Sequence, residues 1–300
     1  MNPIHLLLAL LVTAIWGLNF SVIKIGLQSV DPFILAGIRF ALCAVPAVFF
    51  IRRPRVSWGM LAAYGLLFGV GLWGVVNLGI RAGVSAGVAS LLLQFSAFCT
   101  ILLGAALFHE RVSSYQVAGI ALALVGLGAI VSITDGSVSI AGTALVLLGA
   151  VSWSVANVII KKSGTRDVLA FLVWSLLFAP LPLFALAYWS NGGAGFAALP
   201  AQLGATALLS ILFQAYPTTL FGYWIWNSLL KRYPVSTVAP LSLLVPVFGV
   251  LGSVLIFGER LPAAKLSALV LILSGLVAGL YGQRIGAWLA RQRTRSVNNI

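Results

Sequence analysis

Polar side chains recur inside long apolar stretches of this sequence, often about one helical turn after a tryptophan. Trp73 precedes Asn77, and Trp153 precedes Asn157, by four residues, so each pair lies on one face of a helix. Indole N–H groups and carboxamides form hydrogen bonds while aromatic faces cover apolar atoms, which together suit a small polar or zwitterionic solute. The candidate solute-binding residues are Trp16, Asn19, Trp73, Asn77, Gln94, Ser96, Trp153, Asn157, Gln214, Tyr216, Tyr223 and Trp224.

The composition places these side chains in a membrane. Hydrophobic residues make up 61% of the 300 residues and charged residues only 8%, whereas about 25% of an ordinary soluble domain is charged. The lipid bilayer is therefore the first predicted partner. The net charge of +13 comes from short basic clusters between apolar runs. This is typical of cytoplasmic loops, and nucleic-acid binding is not expected.

Ten apolar runs are long enough to cross a bilayer as helices, which takes about 20 residues each. The connections between them are short, so the sequence predicts an all-α membrane protein with ten transmembrane helices and no separate soluble domain. The expected bounds are 4–25, 33–51, 57–80, 84–107, 112–133, 139–160, 168–189, 204–230, 235–257 and 262–283.

Basic residues are distributed unevenly over the predicted loops. Since Lys and Arg are enriched in cytoplasmic loops, the side with more of them is the cytoplasmic side, and both termini are predicted to lie there. Thirteen fall on that side: Arg52, Arg53, Arg55, Arg111, Lys161, Lys162, Arg166, Lys231, Arg232, Arg284, Arg291, Arg293 and Arg295. Four fall on the other: Lys24, Arg81, Arg260 and Lys265.

The motif Phe-x-Glu-Arg occurs twice, at Phe108–Arg111 and Phe257–Arg260, with the glutamates 149 residues apart. The copies follow the fourth and the ninth run, and an offset of five spans puts them on opposite sides of the membrane. This predicts an inverted 5+5 repeat, with a first half at 1–135, a second half at 136–290 and a basic cytoplasmic tail at 291–300. Transporters with such repeats bind their solute where the halves meet.

The chain resembles the EamA-type branch of the drug/metabolite transporter superfamily over essentially its whole length. The resemblance is carried by WGLNFSVIKIG (16–26), LAGIRF (35–40), AGVASLLLQ (86–94) and VAPLSLLVPV (238–247) followed by GERL (258–261). It implies a ten-helix carrier of the bacterial inner membrane, with a central cavity lined by helices 1, 3, 4, 6, 8 and 9. Within the superfamily the combination is nearest to exporters of O-acetylserine and cysteine, which implies export of amino-acid-like metabolites by alternating access.

The polar residues also have a purely structural interpretation. Trp and Tyr anchor helices at the membrane interface, and amides form hydrogen bonds between helices. The positions of Trp16 and Trp153 correspond in the two halves, as do Asn19 and Asn157 to within one residue. This correspondence favours a shared cavity for these four residues, while the structural interpretation stays open for the set.

A second group of residues is expected to shape the helices or to gate the pathway. Arg39 lies inside the second run, where it either attracts a carboxylate or extends to helix-end carbonyls. Glu110 and Glu259 either cap loops as charge pairs with the arginine that follows each, or act as gates. Prolines in the ninth run free backbone carbonyls that a cavity or a neighbour must satisfy. The group consists of Arg39, Glu110, Arg111, Pro240, Pro246, Glu259 and Arg260.

An enzyme is not expected. The G-x-S-x-G match at 83–87 requires a strand-to-helix turn with a histidine and an acid nearby, whereas Ser85 opens a predicted helix and His109 lies at its far end. Cys43 and Cys99 lie inside apolar runs, where cysteine serves as a packing residue, and neither a metal nor a cofactor is expected. The absence of a mid-run acid argues against an antiporter of cationic drugs.

Two other functions stay open. One is a facilitator or exchanger of another neutral or anionic solute, in which Arg39 and Lys24 attract the anion. The other is a membrane receptor or assembly subunit without flux, against which the short loops count. The small residues Gly119, Ala123 and Gly126 in the fifth run favour close helix packing, either within the chain or in a homodimer.

Cysteine labelling tests the predicted topology. In a variant without Cys43 and Cys99, the substitution Gly195→Cys is expected to give a thiol that reacts with a membrane-impermeant reagent added outside, because the 192–200 loop is predicted to be external. The thiol from Ser296→Cys is expected to react only after the membrane is permeabilised. The reverse labelling pattern would contradict the ten-helix topology.

Overall fold

The structure, a computed structural model, describes residues 1–109, 111–132, 136, 138–233 and 235–297, and over these residues the chain forms helices and turns without a strand. Two short helices, Ala194–Ala197 and Leu199–Gln202, connect the seventh and eighth long helices. The long helices, with their internal breaks included, are α1 (Pro3–Gly26), α2 (Pro32–Phe49), α3 (Trp58–Arg81), α4 (Ala86–Leu107), α5 (Ser114–Val131), α6 (Ile140–Ser163), α7 (Val168–Asn191), α8 (Ala205–Arg232), α9 (Ala239–Phe257) and α10 (Ala263–Val297).

Nine of these helices are long and apolar enough to cross a membrane, counting only the described residues. The exception is α8, which is helical throughout but carries the sequence QAYPTT at 214–219 in its middle. The prediction of an all-α membrane protein is confirmed at this level. The predicted span at 204–230, and with it the count of ten, stays a prediction.

The first seven helices each begin at a side chain that accepts a hydrogen bond from a backbone N–H of the first turn. Such caps satisfy donors that have no partner inside the helix, and these donors are costly to leave unpaired near lipid. The capping residues are Asn2, Asp31, Ser57, Ser85, Ser113, Ser139 and Asp167. Asp31 also accepts a bond from Asn191 at 2.7 Å, which ties the start of α2 to the end of α7.

The middle of several helices departs from α-helical geometry, and these departures occur in corresponding pairs. In α3 a π-helical stretch runs over Leu66–Gly74, and in α8 one runs over Gln214–Phe221. The helix α4 is broken between Leu92 and Phe95, while α9 begins with a 3₁₀-helix at Ala239–Leu243. Such stretches change the direction of side chains along a helix and are frequent at functional sites.

Packing between the helices follows the same correspondence. The first helix of the first half, α1, lies against α8 and α9, whereas its counterpart α6 lies against α3 and α4. The remaining helices pair across the two halves, α2 with α7 and α5 with α10. The first helix of each half thus lies against the third and fourth helices of the other half.

A close approach of α1 to α9 has a counterpart between α6 and α4, with different chemistry. Gly17 in α1 lies so close to the backbone carbonyl of Val245 in α9 that a Cβ there would overlap it. In α6 the hydroxyl of Ser154 donates a 2.8 Å hydrogen bond to the carbonyl of Ser96 in α4. Gly17 and Ser154 each follow the tryptophan of their half, and Ser96 and Val245 are 149 residues apart (245 − 96). A small residue is therefore needed at both places.

Glycines also form the contact between α5 and α10. A Cβ on Gly119 would lie 2.5 Å from the carbonyl oxygen of Gly275, and a Cβ on Gly126 would lie 2.7 Å from the side chain of Ile272. Ala123, between the two glycines of α5, is fully buried. These small residues therefore pack within the chain, and the homodimer stays a prediction.

Substitution of Gly119 tests this contact. Gly119→Leu is expected to destabilise the folded protein by about 1–3 kcal/mol, because the side chain must push two backbones apart. Gly128→Leu in the same helix is the matched control, since nothing lies within 4 Å of a Cβ at that position. Thermal denaturation of both purified variants in detergent measures the difference. Equal denaturation temperatures would contradict the packing.

Candidate functional site

Arg39 in α2 is buried, with 1% of its surface exposed. Its Nε and Nη2 donate to the hydroxyl of Thr219 in α8 at 3.3 and 3.0 Å. The guanidinium carbon lies 4.6 Å from the ring centre of Trp73 in α3 and 5.0 Å from that of Phe40. The third nitrogen, Nη1, has no hydrogen-bond partner. Arg39 therefore does not extend to helix-end carbonyls, which is one of its two expected roles.

The π-helical stretch of α8 fixes the direction of the Thr219 hydroxyl. This hydroxyl donates to the carbonyl of Gln214, five residues earlier, at 2.8 Å, so its lone pairs remain for Arg39. The Gln214 amide donates to Ser210 at 3.1 Å, and Ser210 donates to the carbonyl of Val22 in α1 at 2.6 Å. A continuous chain of hydrogen bonds thus joins α1, α8 and α2.

Thr218, the neighbouring threonine of α8, forms hydrogen bonds with two residues of α1. The Thr218 hydroxyl donates to Oδ1 of Asn19 at 3.1 Å, and the Thr218 carbonyl accepts a 3.0 Å bond from the indole of Trp16. Two consecutive threonines therefore contact two different helices of the first half. We call Asn19, Arg39, Trp73, Gln214, Thr218 and Thr219 the Arg39 cluster.

Several buried polar atoms on these helices have no hydrogen-bond partner, although buried polar groups are nearly always paired. Within the Arg39 cluster these are Nδ2 of Asn19, Nη1 of Arg39, Nε1 of Trp73 and Oε1 of Gln214, and beside it Oγ of Ser21 and Oδ1 of Asn77. Donors and acceptors are both represented. The arrangement is therefore suited to a ligand that carries both kinds of group.

Aromatic side chains form a second group next to the Arg39 cluster. Phe68 in α3 lies 5.2 Å from Trp153, 6.0 Å from Tyr223 and 5.5 Å from Tyr64, measured between ring centres. Tyr223 is also 5.2 Å from Trp16. The tryptophans of the two halves, which the sequence places at corresponding positions, are thus linked through Phe68 and Tyr223. These rings join α1, α3, α6 and α8.

Two predicted solute-binding residues lie elsewhere. Tyr216 is 40% exposed and Trp224 is 54% exposed. Tyr216 is two residues from both Gln214 and Thr218, which puts it on the opposite face of the helix, and Trp224 follows it by about two turns on that same face. We therefore withdraw both residues from the site.

The other predicted residues are spread over the helices around the cluster. Asn77 is buried and donates to the carbonyl of Pro32 at 3.2 Å. Gln94 stands at the break in α4, two residues before the buried Ser96. Asn157 is half-buried in α6. Thr218 and Thr219 are absent from the predicted set, although their position after Pro217 in the most polar helix is a signal that the sequence contains.

The second predicted group is only partly described. Glu110 lies outside the described residues, and Arg111 is exposed. Pro240 lies in the 3₁₀-helix of α9, and Pro246 is buried in the first turn of its α-helical part. The two prolines thus flank the change of helix type.

Glu259 has a different partner from the one expected. Its carboxylate accepts a 2.6 Å bond from Ser85 at the start of α4 and a further bond from Ser253, and it forms a 2.9 Å ion pair with Lys265 in α10. Glu259 and Lys265 are 10% and 5% exposed, whereas Arg260 is exposed. The expected charge pair with Arg260 is therefore corrected to one with Lys265, and the carboxylate links the two halves through Ser85.

Comparison with known proteins identifies the family to which this fold belongs. The model of the EamA-like transporter family matches the chain twice, at residues 3–132 and 140–280. The chain belongs to the EamA-like transporter family. The family predicted from the sequence is confirmed, and this EamA-like chain is a multi-pass membrane transporter.

Two relatives cover nearly the whole transporter. One, a probable amino-acid metabolite efflux pump of Salmonella typhimurium, is 41% identical over 284 residues, which are 93% of this chain and 95% of the relative. The other, a probable amino-acid metabolite efflux pump of Escherichia coli, is 41% identical over 283 residues, 92% and 95% of the two chains. A solved crystal structure with 19% identity has the same fold, with a TM-score of 0.64 over 95% of this chain and 99% of that one.

The ion pair at Glu259 makes a prediction about stability. Glu259→Gln is expected to cost about 3 kcal/mol, because it leaves the buried Lys265 ammonium without its carboxylate. Lys265→Gln combined with Glu259→Gln is expected to cost less than the sum of the two single substitutions. Thermal denaturation in detergent measures all three variants.

Arg260→Gln is the control for this ion pair. Because Arg260 is exposed, its loss is expected to change stability by no more than about 0.5 kcal/mol. A cost as large as that of Glu259→Gln would restore Arg260 as the partner of the carboxylate.

Proposed function

We propose that this transporter exports small amino-acid-like metabolites across the bacterial inner membrane. The names of the Salmonella and Escherichia relatives support this direction and this class of solute. The observation that carries the proposal is the Arg39 cluster. Asn19, Arg39 and Trp73 come from the first half of the chain, and Gln214, Thr218 and Thr219 come from the second. A buried polar site between halves is where a carrier holds its solute.

The proposed mechanism is alternating access by ten helices in an inverted 5+5 repeat. The paired helix interruptions and the recurring approach of α1 to α9 and of α6 to α4 support the repeat. The two family matches lie within the proposed halves 1–135 and 136–290. We propose α8 as the tenth span, since its polar residues Gln214, Thr218 and Thr219 are buried, and the two threonines bond to α1 and α2.

Two contacts between the halves are suited to act as gates. At the end of the molecule that we propose to be cytoplasmic, His5 bonds to the hydroxyl of Tyr233 at 2.6 Å and to Arg232 at 3.0 Å. At the opposite end, Ser85 bonds to Glu259 at 2.6 Å. Each contact joins one residue of the first half to the second half, and in the proposed mechanism each closes one end of the path.

A cavity at the first of these gates is suited to admit solute from the cytoplasm. Its volume is about 530 Å³, and its lining includes His5, Ile225, Ser228, Lys231 and Arg232. The volume falls in the range of small-molecule sites. The cations at its rim favour solutes with a negative group.

A facilitator or exchanger of anionic solutes is the second candidate function. The buried guanidinium of Arg39 is the observation that favours it, because the charge attracts any small anion. This function differs from the first in the solute and not in the fold.

Solute flux in proteoliposomes tests the proposal. Purified protein is reconstituted, and the efflux of labelled O-acetyl-L-serine, L-cysteine and other amino acids is compared with efflux of labelled acetate and succinate. Faster efflux of at least one amino-acid-like solute than from protein-free liposomes is expected. Flux of the simple carboxylates alone would favour the second candidate. No flux of any solute from correctly folded protein would favour a receptor or assembly subunit.

The same assay provides a test of the site. Asn19→Leu is expected to lower flux by an amount equivalent to about 1–3 kcal/mol, because a polar partner of the solute is lost. The amount of folded protein, measured by size-exclusion chromatography, is expected to be unchanged. Asn157→Leu, at the corresponding candidate residue of the second half, is expected to have a smaller effect, since Asn157 is only half-buried in α6. Unchanged flux in Asn19→Leu would remove this residue from the site.

A further inference from the structure

The positive charge of Arg39 is not neutralised by any acidic side chain in the described part of the chain. Asp31 accepts bonds from the first turn of α2 and from Asn191. Asp167 caps α7, and Glu259 pairs with Lys265. Each of these carboxylates therefore has partners away from Arg39.

The partners that Arg39 does have are neutral. They are the hydroxyl of Thr219 and the rings of Trp73 and Phe40. A buried charge is costly unless it is both paired and hydrogen-bonded. Aromatic faces and one hydroxyl offset part of this cost, and Nη1 still has no partner. An anion bound from outside the chain would supply the negative charge and the hydrogen-bond acceptor that Arg39 lacks among the described residues.

The groups around Arg39 select the shape of this anion. A guanidinium binds a carboxylate through two parallel hydrogen bonds, which gives it both strength and orientation. The indole N–H of Trp73, whose ring lies over Arg39, is a further donor without a partner. Asn77 lies one turn after Trp73 in α3, and the backbone carbonyl of Gln214 accepts from the Thr219 hydroxyl that binds Arg39. The side-chain amide oxygens of Asn77 and Gln214 are acceptors without partners, and these are suited to an ammonium group.

We propose that Arg39 binds the carboxylate of the transported solute, with Trp73 as a second donor, and that the amide oxygens of Asn77 and Gln214 receive its ammonium group. The solute class is therefore the α-amino acids with a free carboxylate, and their amides and esters are excluded. The inference rests on the proposed function only for the statement that the bound molecule is transported. Of the two roles expected for Arg39, it selects the attraction of a carboxylate, and it moves this residue from the gating and helix-shaping group to the solute-binding group.

Binding by matched acids and amides tests the inference without a transport assay. Purified protein in detergent is titrated with L-serine and L-serinamide, and with L-leucine and L-leucinamide, while its thermal denaturation is followed. Each amide keeps the ammonium group and the side chain but lacks the carboxylate. Stabilisation by ligand reports affinity, and at least one acid is expected to bind roughly thirtyfold or more tightly than its amide.

Substitutions of Arg39 test whether the preference for the acid over its amide depends on this residue. Arg39→Gln is expected to abolish the preference for the acid, and Arg39→Lys is expected to keep a weaker preference, because an ammonium has the charge but not the planar fork. Arg166→Gln, which removes an exposed arginine, is expected to bind as the wild type does. If Arg39→Gln does not fold, the Arg39→Lys variant and Thr219→Val, which removes the hydroxyl that orients the guanidinium, provide the test through a reduced preference.

The outcomes separate this inference from the proposed function. Equal binding of acid and amide by the wild type, no stabilisation by any of the four probes, or a full preference in the Arg39 and Thr219 variants overturns the inference. Export of an amino acid together with equal competition by its amide would preserve the function and overturn the inference. Selective binding of the acid without flux in proteoliposomes would preserve the inference and overturn the function.

Discussion

A charged side chain inside a bilayer must find its partners within the protein or in what the protein binds, and this requirement organises the centre of the molecule. Arg39 obtains one partner from Thr219. That hydroxyl is available only because the π-helical turn of α8 lets it donate five residues back to Gln214. The same turn directs Thr218 towards Asn19. The irregular geometry of one helix therefore decides which groups of the first half can meet those of the second.

Much of the architecture could be predicted because a segment that crosses lipid as a helix must be long and apolar. Apolar length identifies the spans, and the duplicated Phe-x-Glu-Arg motif indicates two related halves. The same rules fail for α8, because the residues that give it a function, from Gln214 to Thr219, also lower its hydrophobicity. The helix that contributes most to the candidate site is thus the one that composition alone describes least well.

The details of the site could not be predicted, for geometric reasons. The sequence does not tell which face of a helix points inwards, so it could not show that Tyr216 and Trp224 are exposed. The pairing of Glu259 with Lys265 in place of Arg260 arises because neighbours in sequence point apart, while the short loop after α9 brings Lys265, in the first turn of α10, back to the carboxylate. Thr218 and Thr219 become informative only once the turn that orients them is known.

The second helix of each half begins at an aspartate cap, but only one of these two helices carries a buried charge eight residues after the cap. Asp31 and Asp167 cap the second helix of each half, and the residues eight positions later are Arg39 and Ser175. Both are buried, yet only the first is a cation. In a carrier whose inverted halves exchange conformations, identical halves would give inward-facing and outward-facing forms of equal energy. If the halves exchange conformations as proposed, the cation at one of these two positions makes the two forms unequal in energy, and the empty carrier would then rest on one side of the membrane more than on the other.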